Sequence, residues 1–405
     1  MATETRKSVI ITFKPKDKRP DKKKDKREIV LSEIAIQPTF FDAATLTRGA
    51  ALPAALPAEM IGYDVNEYEA PIVIASLNDA EIAALKKNGN VAKVEEDAPC
   101  YALNCCAEAK FVIEGQPSVM AETIPAGIAQ IKAPAAWDSS RGKAIKVAVL
   151  DTGIDYTHPD LVANFKGGIS FVPTETSPMD FNSHGTHCAG TIAAAINGAG
   201  VVGVAPAASL YAVKALDKNG SGQFSWIIAG IDWCIKNGIR IISMSLGGSS
   251  APSALETMCN LAWSKGLLLV AAAGNSGGPV GYPAKYASVV AVSAIDSTNM
   301  IAGFSSRGPE VELCAPGVNV LSTVPGGGYG TKSGTSMACP HVSGAAALAW
   351  GAHRYANNVT IRRLLAWTSD NLGLPGRDPL YGYGRVDADQ AATELVAPPA
   401  IPGIP

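Results

Sequence analysis

The sequence predicts an α/β protein, in which a three-layer domain with a mainly parallel sheet follows a small α+β unit. Three observations support this prediction. Six apolar segments rich in Val, Ile, Leu and Ala alternate with helical stretches between residues 145 and 352. The chain of 405 residues has 40 Gly and 17% charged residues, a composition typical of tightly packed α/β domains. A separate strand–helix–strand pattern occupies the first hundred residues.

The main domain is predicted to span residues 121–395, with a Pro-rich tail at 396–405. Its predicted strands are 145–151, 209–216, 239–246, 267–274, 288–295 and 311–317, and its helices are 184–196, 224–237, 252–265 and 336–352. Nearly continuous apolar strands that alternate with helices indicate a parallel sheet covered on both faces. Such sheets bind ligands beyond the carboxyl ends of their strands, where Asp151 and Asn275 are expected.

Residues 1–103 are predicted to form the small α+β unit. Strands are expected at Lys7–Phe13, within 70–77 and at 91–97, and a helix at 78–89 with Asn78 and Glu81 as its capping box. The lysine-rich tract at 14–28 is predicted to be a disordered basic insertion, although a patch for nucleic acid or another anionic surface stays open. A polar connector, 104–120, leads to the main domain.

Charge and hydropathy limit the partners and the compartment. The net charge is −2, since about +6 in residues 1–30 is offset by about −8 in the rest, so no nucleic-acid partner is expected. No apolar run reaches the roughly 18 residues of a membrane span. The first residues lack a signal-peptide core, which predicts a cytoplasmic protein as the sequence stands, or a secreted one whose native signal was removed. The eight cysteines are expected to be buried thiols, although a Cys234–Cys259 pair stays open.

Three segments carry residues for nucleophilic catalysis. Asp151 ends the strand of "VAVLDTGID", His184 begins the helix of "HGTHCAGTIAA", and Ser336 begins the helix of "GTSMACPHVSG". A serine hydroxyl needs a base to take its proton, and a buried carboxylate orients and stabilises that imidazole. Asn275, in "AAAGNSG", could donate a hydrogen bond to a developing oxyanion, with the backbone N–H of Ser336 as the second donor.

These motifs, with "SMSLGG", resemble those of the subtilisin-like serine peptidases, in the same order, from about residue 121 to 391. The resemblance implies a subtilisin-like fold and a serine endopeptidase that hydrolyses peptide bonds through an acyl-enzyme. It assigns the nucleophile to Ser336, the base to His184, the orienting carboxylate to Asp151 and the oxyanion donor to Asn275, with Thr335 of the "GTS" turn supporting the oxyanion indirectly. No catalytic cofactor is implied. The implied substrate-binding residues are Gly220, Gly222, Phe224, Ser245, Leu246, Gly247, Ala272 and Gly274.

The segments that contain these substrate-binding residues are small and apolar, which predicts a preference for large uncharged P1 side chains. Substrate binding through main-chain hydrogen bonds predicts broad specificity. The N-terminal unit resembles the ferredoxin-like, inhibitor-type propeptide of the same family, which implies a zymogen that processes itself and a propeptide that acts as intramolecular chaperone and inhibitor. Cleavage is expected between Leu103 and Asn104, with Met120–Ala121 as the alternative because mature relatives begin near the latter position. A monomer that acts on polypeptide substrates, without a membrane partner, is expected.

The resemblance also implies a structural calcium site in "AAAINGAGVVGVAP". Its implied ligands are Glu122, where the family usually has Gln, with Asp160, Ala195, Asn197, Ala199 and Val201. A second, weaker cation site is implied near Ala284, Tyr286, Val289 and Glu310.

Four competing interpretations were considered. A zinc hydrolase built on His184 and His187 lacks a Glu in "HGTH" and a third histidine nearby. A catalytically dead binding protein on the same scaffold would not need competent residues at every catalytic position. A serine-carboxyl peptidase would carry a Glu/Asp pair in place of His184. A cysteine nucleophile at Cys339 is disfavoured because the "GTS" turn is expected to display Ser336. His187 is expected to support its helix.

Overall fold

The computed structural model describes residues 6–14, 64–65, 72–103, 121–395 and 397–405. The predicted basic insertion beyond Lys14 and the connector 104–120 lie outside the described residues. The described part comprises a small N-terminal unit and a large α/β domain.

The N-terminal unit contains strands β1 (Lys7–Phe13), β2 (Asp64–Val65), β3 (Ile72–Leu77) and β4 (Val91–Glu96), with helix α1 (Asp79–Lys87). The strands form an antiparallel sheet in the order β2-β3-β1-β4. Asn78 Oδ1 accepts from the Glu81 N–H and the Glu81 carboxylate accepts from the Asn78 N–H, which confirms the predicted capping box. Leu85 packs with Ile11 and Leu77 in a small apolar core. The ferredoxin-like topology stays a prediction, since part of this unit lies outside the described residues.

Strand β5 (Pro99–Ala102) lies at the C-terminal end of the N-terminal unit. The strands of the large domain are β6 (Lys146–Asp151), β7 (Phe165–Ser170), β8 (Ser209–Lys214), β9 (Ser221–Gln223), β10 (Ile241–Met244), β11 (Leu246–Gly247), β12 (Leu268–Ala272), β13 (Val289–Ile295), β14 (Val311–Pro316), β15 (Val320–Val324) and β16 (Gly328–Lys332). Its helices are α2 (Ala126–Gln130), α3 (Ala133–Ala136), α4 (Pro159–Val162), α5 (His184–Ala193), α6 (Phe224–Lys236), α7 (Ser253–Ser264), α8 (Thr335–Ala352), α9 (Asn358–Trp367) and α10 (Ala388–Thr393).

Seven strands form a parallel sheet in the order β14-β13-β12-β10-β6-β8-β7. Side chains of α5 and α8 join one apolar cluster with one face of this sheet, and those of α6 and α7 join a second cluster with the other face. Burial on both faces explains why the strands are almost wholly apolar. The predicted three-layer α/β fold is confirmed.

The order of strands places a crevice beside β6. The chain proceeds from β6 toward β8 and β7 on one side, and then returns to β10 and the remaining strands on the other. Ligands bind at such a reversal, beyond the carboxyl ends of the strands. Asp151 is the last residue of β6 and therefore lies at this crevice.

Several elements were not predicted. Strand β7, "FKGGIS", carries two glycines and lacks the apolar run that marks the other strands. The β15–β16 hairpin and the short helices α2 and α3 also lacked a strong periodic pattern. The predicted tail packs on the domain. Pro402 O accepts a hydrogen bond from the Tyr383 hydroxyl of the domain at 2.7 Å, and Ile404 is buried.

The cysteines of the described residues agree with the prediction. Cys100, Cys188, Cys234, Cys259, Cys314 and Cys339 are all free and buried, so Cys234 and Cys259 do not form a disulfide. Among the helices of the described residues, none combines the length and the hydropathy needed to cross a membrane.

Candidate active site

Asp151 and His184 form a buried pair. His184 is the first residue of α5, and its Nδ1 lies 2.7 Å from Asp151 Oδ1. Both residues are fully buried, so the carboxylate orients the ring with little competition from water. Because Nδ1 bonds the carboxylate, Nε2 is the nitrogen left to accept a proton. Within the described part of the chain, no hydrogen-bond donor or acceptor contacts that Nε2.

Ser336 is the second residue of the long helix α8, which begins at Thr335 after Gly334. Its Oγ lies 2.7 Å from Leu103 O and 3.0 Å from Ser245 O. The sequence predicted that His184 faces Ser336, but in this state the hydroxyl is directed to two carbonyl oxygens instead. Contacts between a nucleophile and its base are often long or unmade before the reacting complex forms.

The amide of Asn275 is oriented by its neighbour Thr335. Asn275 Oδ1 accepts from the Thr335 N–H and from the Thr335 hydroxyl, both at 2.8 Å. These two donors fix which end of the amide faces the cleft, so Nδ2 points outward and donates to Leu103 O at 2.5 Å. The side-chain amide is therefore placed where a negatively charged oxygen would be stabilised.

The C-terminal end of the N-terminal unit occupies the cleft as strand β5. It pairs antiparallel with β9 on one side and with β11 on the other. The Ala102 N–H donates to Gly220 O at 2.8 Å and the Leu103 N–H lies 3.2 Å from Ser245 O. Of the predicted substrate-binding residues, Gly222, Leu246 and Gly247 are direct strand partners of β5. Phe224 and Leu246 also share an apolar cluster with Cys100.

A cavity of about 350 Å³ lies beside Leu103. It is lined by Tyr101, Leu103, Gly247, Gly248, Ser249, Gly274, Asn275, Ser276, Pro279, Gly281 and Ser306. None of these residues carries a charge. Gly274 lines this cavity, whereas Ala272 lies in the core at the end of β12.

His187 does not lie beside His184 as a second ligand. Its Nε2 donates to Val320 O at 2.9 Å, with Gly330 O at 3.2 Å, and so ties α5 to the β15–β16 hairpin. Burial, with the nearby positive charge of Lys332, lowers the pKa of His187 to about 3, so the ring is neutral at physiological pH. The predicted supporting role fits these contacts, and a zinc site built on the two histidines does not.

The two cysteines near the site are protonated core thiols. Burial raises the pKa of Cys339 to about 11, and its sulfur lies 3.5 Å from Val270 O beneath the site. The Cys188 sulfur lies close to the pair, since Cys188, His184 and Asp151 each have a potential metal-binding atom within 4.8 Å of the other two. Burial raises the pKa of the Cys188 thiol well above its usual value, so the thiol stays protonated. Neither thiol is therefore suited to act as the nucleophile.

The residues of the predicted calcium site surround a loop that follows α5. Glu122 Oε1 accepts from the N–H groups of Asn197 and Gly198, at 2.6 and 2.8 Å. Asp160, 1% exposed, accepts from Asn197 Nδ2 and the Val201 N–H, both at 2.9 Å. Gly200 has φ +71°, and a Cβ there would lie 2.3 Å from Asp160 Oδ2.

Within the described ranges, neither Glu122 nor Asp160 forms an ion pair with a Lys or Arg. Together with Asn197 and the carbonyls of Ala195, Ala199 and Val201, they supply the hard oxygen ligands that Ca²⁺ prefers. The residues of this loop therefore fit the ion.

The residues of the second predicted cation site fit an ion poorly. Glu310 already has the ammonium of Lys285 at 3.8 Å. Val289 O accepts from Arg362 at 3.3 Å and Tyr286 O accepts from the Val289 N–H at 2.9 Å. Because cationic side chains already contact Glu310 and Val289 O, a metal ion there would meet positive charge, and we do not propose this second site.

Four polar residues near His184 and Asp151 were missed at the sequence level. Asp180 and Thr152 are buried between the two elements that carry the pair. Lys332 donates to Ser183 Oγ at 2.9 Å, and Lys214, fully buried, donates to Thr152 O. Asp180 precedes His184 in the quoted stretch "DFNSHGTH", but nothing in the local pattern showed which groups it would contact.

The fold and this site are those of a subtilase. Residues 142–384 match the sequence profile of the subtilase family. The chain therefore belongs to the subtilase family of serine peptidases, and it is a hydrolase that acts on polypeptides.

Individual relatives agree with this assignment. Subtilisin E of Bacillus subtilis (strain 168) is 49% identical over 325 residues, which cover 78% of this chain and 80% of the relative. Subtilisin of Bacillus pumilus is 52% identical over 279 residues, covering 67% of this chain and 100% of the relative. An alkaline protease of Shouchella clausii is 46% identical over 330 residues, covering 81% of each chain.

Proposed function

We propose that this serine endopeptidase is made as a zymogen that cleaves itself between Leu103 and Asn104, with Ser336, His184, Asp151 and Asn275 as its catalytic residues. The observation that carries the proposal is the position of the Leu103 carbonyl. Its oxygen lies within hydrogen-bond distance of both Ser336 Oγ and Asn275 Nδ2, at the end of a strand paired on both sides.

The chemistry follows from these positions. His184 Nε2 takes the proton of Ser336 Oγ, which attacks the carbonyl carbon of Leu103, and Asn275 Nδ2 donates to the oxyanion. His184 then gives the proton to the departing amide nitrogen of Asn104, which leaves an acyl-enzyme on Ser336. Water, activated by the same imidazole, releases the new carboxyl group of Leu103. Asp151 stabilises the imidazolium throughout.

The alternative bond, Met120–Ala121, has weaker support as the first cut. Ala121 pairs with Ala199 beside the calcium loop rather than with the strands of the cleft. The bonds of β5 to the cleft support cleavage after Leu103 first, and any removal of residues 104–120 would follow as a second reaction.

The same contacts support an inhibitory role for the N-terminal unit. Glu95 accepts from the N–H and the hydroxyl of Ser253 at the start of α7, and Asp97 accepts from the Ser225 N–H in the first turn of α6. Carboxylates are favoured at helix N-termini, so these contacts and β5 would retain the unit on the enzyme after cleavage. Main-chain pairing by β5 also supports broad specificity, and the uncharged cavity supports a large apolar P1 residue.

Substitution at Leu103 tests the cleavage site and the P1 preference together. We expect Leu103→Phe to be processed within about threefold of the wild-type rate, and Leu103→Asp to be at least about 100-fold slower because a charged side chain would be desolvated in an uncharged pocket. Time-resolved intact-mass spectrometry of the full chain gives both the rate and the position of the cut. Equal rates for Phe and Asp, or a first product that ends elsewhere, would contradict the proposal.

We further propose that the loop after α5 binds one structural Ca²⁺ through Glu122, Asp160, Asn197 and the carbonyls of Ala195, Ala199 and Val201. When bound, the ion would neutralise two carboxylates and tie residues 121–123 to the loop, so it would act on stability rather than on the chemical step.

Thermal unfolding in a Ser336→Ala background, which avoids autolysis, tests this calcium site. An ion at 100 times its Kd adds about 2.7 kcal/mol, which for a domain of this size corresponds to about 5 °C in Tm. We expect Ca²⁺ to raise Tm by that amount over EDTA. Asp160→Asn should abolish the rise, whereas Glu310→Gln should keep it. A rise that survives Asp160→Asn would place the ion elsewhere.

A further inference from the structure

We infer that Asp180 and Thr152 are positioning residues for the His184–Asp151 pair, because together they join the end of β6 to the turn from which His184 projects. The inference rests on the proposed role of His184 as the base. Asp180 and Thr152 act through His184 and Asp151, and they touch neither the substrate nor the reacting atoms.

The Asp180 carboxylate is 2% exposed and accepts from five groups. Oδ1 accepts from the Thr152 hydroxyl at 2.9 Å and from the N–H groups of Asn182 and Ser183 at 2.8 and 3.0 Å. Oδ2 accepts from the N–H and the hydroxyl of Thr186 at 2.9 and 2.6 Å. In the described part of the chain, no Lys or Arg forms an ion pair with it, although the charge of Lys332, which donates to Ser183 Oγ, adds an attraction at longer range.

These bonds fix the conformation of the turn before His184. Ser183 has φ 92°, a left-handed conformation that side-chain-bearing residues rarely adopt. It persists only where neighbouring contacts hold it, and the bond from its N–H to Asp180 is such a contact. The His184 N–H, in turn, bonds Asn182 Oδ1 at 3.2 Å. The direction in which His184 leaves the turn therefore depends on Asp180.

Thr152 connects the same carboxylate to the other member of the pair. It follows Asp151, is fully buried, and donates its N–H to Asp151 Oδ1 at 2.7 Å. Its hydroxyl donates to Asp180 and accepts from the Gly185 N–H at 2.9 Å. The hydroxyl of Thr152, next to the end of β6, thus contacts both Asp180 in the turn before His184 and Gly185 in the first turn of α5.

The consequence is geometric. Asp151 Oδ1 accepts both the Thr152 N–H and His184 Nδ1, so a shift of Thr152 moves the acceptor that orients the imidazole. A misplacement of about 1 Å at a catalytic group can cost about 100-fold in rate. Loss of the Thr152 hydroxyl should therefore lower the rate of the chemical step more than it weakens the binding of substrate.

Two substitutions at one position separate this role from a purely structural one. Thr152→Val keeps the shape of the side chain and removes the hydroxyl, and Thr152→Ser keeps the hydroxyl and removes the methyl group. We expect Thr152→Val to lower kcat for an uncharged peptide substrate about 10- to 100-fold, with KM within about threefold. Thr152→Ser should stay within about threefold of wild type in both constants.

Asp180→Asn is the second variant, and it should lower kcat in the same way. Asp378→Asn is its matched control, because Asp378 is also a buried loop carboxylate that accepts from two backbone N–H groups, those of Leu380 and Tyr381, but it lies beyond the outer strand β14. This control should lower Tm while kcat stays within about twofold. All rates are measured on enzyme expressed as the full chain and are normalised to the folded fraction by near-UV circular dichroism.

The outcomes are distinct. If Thr152→Val or Asp180→Asn lowers Tm but leaves kcat within threefold of wild type, the residues are only structural and the inference is wrong. If either variant does not fold, the other decides. Failure of the zymogen proposal would be seen in the wild-type protein itself, as peptide hydrolysis without a cut after Leu103, and it would leave the ratio of variant to wild-type kcat as a valid test.

Discussion

Replacing Ser336 by Ala is expected to leave the chain uncut and to abolish peptide hydrolysis. Without Oγ there is no nucleophile to attack the Leu103 carbonyl, while β5 still pairs with β9 and β11 and holds the bond in place. Our expected loss of at least about 10⁴-fold in kcat is taken from subtilisin itself, where removal of this serine costs about 2 × 10⁶, and is not calculated from this site. Intact-mass spectrometry and a peptide assay measure both effects.

Cys339→Ala is the matched control for Ser336→Ala, since Cys339 lies one turn along the same helix and loses a group of similar size. Its sulfur packs on Val270 O and Met244 O beneath the site, so we expect a modest loss of stability with processing and turnover within about threefold of wild type. Processing of Ser336→Ala at the wild-type rate would show that another protease makes the cut. A loss of activity in Cys339→Ala as large as in Ser336→Ala would indicate that the Cys339 thiol takes part in catalysis.

The second large effect is the contrast between two histidines one helical turn apart. His184→Ala should lower kcat to the level of Ser336→Ala, because it removes the only imidazole bonded to Asp151 within the described residues. His187→Ala should keep most of kcat per folded molecule. It should lower the free energy of unfolding by about 2–4 kcal/mol, because it leaves a cavity and removes the donor to Val320 O. Equal losses of kcat in the two variants would contradict this assignment.

The dependence of stability on pH gives an independent check on His187. Its pKa is lowered to about 3 in the folded state, compared with about 6.5 in an unfolded chain. Above pH 6.5 both states are neutral at this position and it contributes no pH dependence. As the pH falls from 6.5 toward 3, only the unfolded chain binds the proton, so the free energy of unfolding decreases by up to a few kcal/mol.

The wild-type protein should therefore lose stability in this range faster than His187→Ala does, after the contribution shared by both is subtracted. His341, whose pKa burial lowers to about 4, provides part of that shared contribution. Denaturant unfolding between pH 4 and 7, in the Ser336→Ala background, measures the difference. Parallel pH profiles for the two proteins would show that His187 takes up its proton equally in both states.

Much of the site could be predicted because its residues lie in short motifs. The sequence alone identified Asp151 at a strand end, His184 and Ser336 at helix starts, and Asn275 on a glycine-flanked turn, and each occupies that place in the structure. The bounds of β6 and α8 were likewise predicted to within a residue, because hydrophobic periodicity and glycine positions are local properties of the chain.

What the sequence by itself determined, then, is the order of the main apolar strands and helices, the α/β class and the identities of the chemical groups. The tertiary structure decided which of these groups meet. The contacts of Leu103 O with Ser336 and Asn275 span 233 and 172 residues, and the bond between Thr152 and Asp180 spans 28. No local periodicity encodes such pairings, because they depend on the order of strands in the sheet and on side-chain packing. For the same reason the hydroxyl of Ser336, expected to face His184, is directed to the two carbonyls that folding brought beside it.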